Sequence, residues 1–128
     1  MLEVIAIAIG GALGAVARYS AGHWVGEWLG HDFPWGILLI NVSGSLAIGM
    51  LFVLLVEQAY LSALIRSALM VGFLGAFTTF STFSLQTLAL LETGRYLEAL
   101  GYVLGSVVLS LCAVALGVFI CRQLTGQG

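Results

Sequence analysis

The sequence predicts an all-α membrane protein of four transmembrane helices, the third of them broken. Three observations carry that reading. Of the 128 residues, 61% are hydrophobic and 8% charged, with a mean hydropathy of +1.13, whereas a soluble domain devotes roughly 25% of its residues to Asp, Glu, Lys and Arg. Four apolar runs, at about residues 4–28, 35–56, 61–91 and 97–120, each supply the ~20 residues a spanning helix needs. The third run holds a cluster of glycines and hydroxyls in its middle. The formal net charge of −2 comes with no basic run, so nucleic-acid binding and soluble enzyme chemistry drop out and the lipid bilayer is the first partner. Residues 1–128 are expected to form a single four-helix transmembrane domain.

The first run opens on Met1-Leu2-Glu3, with no basic segment and no convincing cleavage site, and is expected to be retained as a helix. Gly30, His31, Asp32, Phe33 and Pro34 then give a strong turn signal. The second run carries Asn41, the single asparagine, with Ser45 one turn later. That amide can glue helices together or face a polar path, and the sequence weighs both equally. Glu57-Gln58-Ala59-Tyr60 and Glu92-Thr93-Gly94-Arg95 mark the later breaks. Trp24, Trp28, Trp35, Tyr60 and Tyr96 fall near span ends, where amphipathic rings prefer the headgroup level.

The third run is longer than the bilayer demands, even with tilt. Gly72 and Gly75 precede Thr78, Thr79, Ser81, Thr82 and Ser84. Irregular backbone at membrane depth is tolerated only inside protein or beside a watery cavity, so a break here implies an ion site or a permeation path. The alternative is a continuous helix whose polar face is packed away. Phe77, Phe80 and Phe83 recur every third residue and would share a face if the segment is helical there. In the fourth run Cys112 and Cys121 lie nine positions apart, ~13.5 Å of helical rise, and cannot pair. Gly10 and Gly14, Gly22 and Gly26, Ser45 and Gly49, and Gly101 and Gly105 have the four-residue spacing of close helix packing.

Orientation follows the balance of basic residues across the membrane. Arg66 and Arg122 belong to one side, Arg18 and Arg95 to the other. That balance, two against two, permits insertion both ways and an antiparallel, dual-topology homodimer, a pairing resembling inverted repeats. The competing reading is that one arginine, such as Arg18, is buried and does not count.

Glu3, Glu27, Asp32, Glu57, Glu92 and Glu98 all fall at or beyond span ends, so no mid-membrane carboxylate offers proton coupling. No phosphate-binding loop is present, and no nucleophile–base set can be assembled at depth. An enzyme is not expected, and passive conduction is the simplest mechanism. His23 and His31 read as interfacial or structural. Hydroxyls, an amide and positive ring edges suit a small anion, although a cation could use hydroxyl oxygens and freed carbonyls.

GGALGAVARY at residues 10–19, Asn41 followed by Gly44, and above all GFLGAFTTFSTF at 72–83 resemble the CrcB/Fluc fluoride channel family over essentially the whole chain. The resemblance implies an antiparallel dual-topology homodimer in the bacterial inner membrane, exporting fluoride passively from the cytoplasm to reduce its toxicity. It implies a structural, untransported sodium ion at the dimer centre, held by main-chain oxygens of Gly75 and Thr78. It further implies that Phe80 and Phe83 turn ring edges to the pores, that Asn41 and Tyr102 contribute from the second and fourth helices, and that Ser81 and Thr82 extend a polar track. Arg18 would serve assembly or the entrance, unless it merely snorkels. The chain departs from the family pattern at Ala76, where a second glycine is usual, and at Gln86, where many members have glutamate. A proton-coupled antiporter of organic cations and a membrane assembly subunit are the competing classes. The first wants a carboxylate inside the first helix, where only Glu3 at the boundary is available.

Overall fold

The computed structural model describes residues 1–126. Helix α1 (Leu2–Leu29) ends at Gly30, whose φ of 84° is a conformation glycine adopts without a Cβ penalty. After the turn, Pro34 precedes α2 (Trp35–Phe52), the position where its missing N–H costs nothing. The second span continues through a π-helical stretch, Val53–Glu57. The third span begins as α3 (Ala63–Arg66), capped by the Ser62 hydroxyl, and passes into a π-helix at Ser67–Leu74 and then α4 (Gly75–Phe77). At Thr78 and Thr79 the backbone becomes extended, with φ, ψ of −79°, 156° and −153°, 124°. Helix α5 (Phe80–Glu92) resumes the span, and α6 (Tyr96–Leu124) follows a turn at Gly94.

These helices form four apolar spans, Leu2–Leu29, Trp35–Glu57, Ala63–Glu92 and Tyr96–Leu124, each long enough to cross a bilayer. The all-α, four-span expectation holds, with ends within a few residues of the sequence reading. The break also lies inside the expected segment. The two π-helical stretches were not legible, because periodicity separates apolar from polar faces and does not register one extra residue per turn.

Two seams organise the bundle. Between the first and third spans, a Cβ added at Gly10 would collide with the carbonyl oxygen of Ala68, and one at Gly14 with that of Phe73. Between the second and fourth, Gly49 lies on the Val114 carbonyl and Gly117 on that of Leu46. Backbones approach this closely only where side chains are absent, which is how helices associate without a hydrophobic driving force. Gly101 and Gly105 share the spacing but have no heavy atom near a would-be Cβ within the chain. Spacing alone identifies a smooth face without saying what covers it.

Polar contacts tie the ends. Ser67 donates to Glu3 Oε1 at 2.5 Å, and Arg122 pairs with Glu57. At the opposite end Arg95 pairs with Glu98 and donates to the Asp32 carbonyl at 2.6 Å. The Glu98 hydrogen bond raises the Arg95 pKa further above its ordinary value. This arrangement keeps the carboxylates near the membrane surfaces and out of the middle of the spans.

Candidate functional site

The break is built by two short-range choices and one long-range clamp. Thr79, extended and 8% exposed, caps α5: its Oγ1 accepts from the Thr82 backbone N–H at 3.2 Å. Thr78 is tied back toward α4, its backbone N–H and its hydroxyl both donating to the Leu74 carbonyl, at 3.0 and 2.9 Å. Across the gap, Asn41 Nδ2 donates to the Thr79 carbonyl at 3.0 Å and Asn41 Oδ1 accepts from the Thr79 N–H at 2.8 Å. One side-chain amide therefore satisfies both the N–H and the C=O of Thr79 where the helix is interrupted. Close approach at this point requires Gly44, where a Cβ would meet the Thr78 methyl group.

From Thr79 a hydroxyl chain runs outward. Its Oγ1 donates to Thr82 Oγ1 at 3.1 Å and lies 3.3 Å from Ser81 Oγ. Because Thr82 accepts that bond, its own O–H proton remains available as a donor.

Two concavities flank this chain. The first, about 400 Å³, is lined by Asn41, Ser45, Gly75, Thr78, Thr79, Phe80 and Phe83, with Ser106 and Ser110 from α6. The second, about 510 Å³, is lined by Arg18, His23, His31, Thr82 and Gln86. Thr79 belongs to the first and Thr82 to the second, so their hydrogen bond is a polar link between the two.

The residues singled out in the sequence are thus divided. Asn41, Phe80, Phe83, Gly75 and Thr78 border the inner concavity, whereas Thr82 and Arg18 border the outer one. Ser81 is exposed and Tyr102 fully buried; neither lines either concavity. The Tyr102 ring packs 5.1 Å from Phe83 and 5.6 Å from Phe33, and its hydroxyl donates to Gln86 Oε1 at 2.8 Å. Gln86, where the family resemblance leads one to expect a carboxylate, is therefore oriented by the tyrosine beside the outer concavity.

Phe77, Phe80 and Phe83 do not form one stripe. The break separates Phe77, stacked on Phe73 at 6.0 Å, from Phe80 and Phe83, tilted together at 5.4 Å. Phe83 is 8% exposed and Phe80 is 77% exposed in the single chain. Sequence reasoning passed over Ser106 and Ser110, which stand one turn apart on α6 and border the inner concavity. Ser106 Oγ is buried without a hydrogen-bond partner. The available signal was the run Tyr102, Ser106, Ser110 at four-residue intervals in an otherwise apolar helix.

The structural sodium ion is a correction. Among the described residues no three His, Cys, Asp or Glu side chains converge where they could hold a metal ion. The lining around Gly75 and Thr78 contains no acidic residue, so a buried cation there would have no counter-charge. The donor set does not fit a resident cation, and Gly75 and Thr78 are backbone of the break.

Comparison with known proteins places the chain in a family. The family model described as "CrcB-like protein, Camphor Resistance (CrcB)" matches residues 5–118. The chain belongs to the CrcB/FluC fluoride channel family. Among curated relatives, a protein of Methylococcus capsulatus is 54% identical over 123 residues, covering 96% of this chain and 54% of that one. The present chain thus spans about half the length of that relative. A protein of Hydrogenovibrio crunogenus is 46% identical over 123 residues, covering 96% and 93% of the two chains. One of Hahella chejuensis is 47% identical over 120 residues, covering 94% of each. All three carry the name fluoride-specific ion channel FluC. Membership of this family of transporters, which are not enzymes, together with four apolar spans, makes the chain a multi-pass membrane protein of the bacterial inner membrane.

Proposed function

We propose that this CrcB/FluC chain is a fluoride-selective passive channel that lets the cell shed fluoride and so escape its toxicity. The observation that carries the reading is the hydroxyl chain at the break, which joins two concavities at membrane depth without any carboxylate in their linings. A strongly hydrated anion must regain its lost water contacts from fixed donors. The Thr82 hydroxyl proton and the second N–H of Asn41 offer donors on either side of Thr79. Phe80 and Phe83 present rings whose positive edges can face an anion, Tyr102 holds Phe83 and Gln86 in place, and Arg18 marks the entrance. The name shared by the relatives supports the choice of fluoride.

The functional unit in this proposal is a dual-topology homodimer with antiparallel subunits. Phe80, 77% exposed in a single chain, needs a second surface to wall the path it borders. The evenly divided arginines permit either insertion.

Purified protein in liposomes should release fluoride electrogenically and retain chloride. Phe80→Ile and Phe83→Ile should each depress the flux while the protein remains folded. Equal chloride and fluoride flux would remove selectivity. Full flux in both variants would remove the rings from the path.

A further inference from the structure

We propose that Phe33, in the connection between α1 and α2, is a positioning residue of the conduction path, acting through Tyr102 on Phe83 and Gln86. The inference rests on the channel reading and extends the support of the path to a loop outside the spans. Phe33 sets its ring 5.6 Å from that of Tyr102, edge to face with an interplanar angle of 82°. The Tyr102 ring lies 5.1 Å from Phe83, and Phe83 lies 5.4 Å from Phe80. Four rings in succession therefore run from the loop to the inner concavity, and Phe33 itself lines the outer one. With Phe33 and Phe83 both against it, Tyr102 is fully buried and its hydroxyl donates to Gln86 Oε1 at 2.8 Å. An edge-to-face pair favours particular ring planes, so loss of Phe33 frees the phenol to turn and releases both of the groups it holds.

A surface connection is ordinarily the mobile part of a chain, and this one is held on either side of Phe33. Before it, the Asp32 carbonyl accepts from Arg95 Nη1 at 2.6 Å, and Arg95, at the start of α6, is itself paired with Glu98. After it, Pro34 has φ, ψ of −76°, 55°, and the Trp35 N–H donates to the Phe33 carbonyl at 2.8 Å. Those angles and that bond make an inverse γ-turn, and the Phe33 and Trp35 rings that flank it stand 4.6 Å apart. Helix α6 thus grips the loop twice, at Arg95 through the backbone and at Tyr102, two turns further on, through the ring. Phe33 is partly buried against the Leu38, Phe83 and Tyr102 cluster and borders the outer concavity. It closes the core over Tyr102 and faces the path at the same time.

The orienting part of such a ring contact corresponds to roughly a two- to tenfold bias toward one arrangement. That bias sets the size of the effect on conduction.

Fluoride efflux from liposomes containing the full chain tests this, with flux expressed per amount of folded, monodisperse protein. Phe33→Leu, which keeps an apolar side chain and loses the ring, should lower flux about three- to tenfold. Phe33→Tyr, which keeps the ring, should restore most of it. In a chain already carrying Tyr102→Leu, Phe33→Leu should cost no further flux, because the ring it orients is gone. Arg95→Ala with Glu98→Gln removes the hold on the Asp32 carbonyl at constant net charge and should lower flux roughly twofold. Full flux in Phe33→Leu overturns the proposal, as does an equal loss in Phe33→Tyr or a full further loss in the Tyr102→Leu background; the channel reading survives each of these. If Phe33→Leu gives no folded protein, the Arg95 and Glu98 double variant decides, and full flux there overturns the proposal. A native chain that releases no fluoride overturns both.

Discussion

The glycine seams and the threonine break hold backbones together by opposite means. At Gly14 and Gly117 helices touch because nothing projects from them, and contact is spread along several turns of regular structure. At Thr78 and Thr79 the helix stops, and one asparagine amide plus a cap hydroxyl carry the connection. The seams supply an apolar frame with few choices of position. The break confines hydrogen-bonding groups to one short stretch, where each bond has an identifiable partner. Rigidity and polarity are thus segregated, which lets donors stand at membrane depth without loosening the bundle.

That contrast orders the mutational outcomes. Gly14→Val drives a branched side chain into the Phe73 carbonyl and should cost ~3 kcal/mol or more, seen as loss of monodisperse protein in detergent. A tolerated valine would break the contrast at its stronger side. Asn41→Leu strips both partners from the Thr79 peptide groups and should cost about 2–4 kcal/mol; Asn41→Asp, which keeps the acceptor, should fall between it and the native chain in a thermal-denaturation series. Thr79→Val removes the α5 cap and the link to Thr82, for ~1–2 kcal/mol of stability, and should lower fluoride flux more than that loss explains. Thr79→Ser, which keeps the hydroxyl, should restore most of both. Smallest, Gly101→Ala meets nothing within the chain and should leave thermal stability unchanged or raise it by up to ~1 kcal/mol. A marked loss of dimer in that variant would show that a second copy covers this face.

Much of this was readable from residue order. Four spans follow from hydropathy, and the interruption follows from Gly72, Gly75 and five hydroxyls in a run too long for the bilayer. The clamp could be suspected only as one of two uses of Asn41, because the Asn41–Thr79 pair joins residues 38 apart in sequence, and spacing cannot say which buried peptide an amide will meet. The phenylalanine spacing left its own condition open for a related reason: counting by threes needs the helix whose failure the adjoining threonines announce. The sodium ion came from resemblance, and an acid-free lining does not support it. Ser106 was passed over because single hydroxyls in a membrane helix are ordinary; its spacing from Tyr102 and Ser110 was the one signal in the sequence, and burial without a partner is what sets it apart.

The π-helix at Ser67–Leu74 decides where the break is aimed. A wide turn consumes one residue more than an α turn, so removing a single residue from this stretch without a change in its winding would swing everything downstream by one residue's step, roughly 100°. Thr79 would then turn away from Asn41, though every hydroxyl remained in the chain. The count of residues upstream works as a dial setting, and natural variation should spare the length of this stretch more strictly than its side chains.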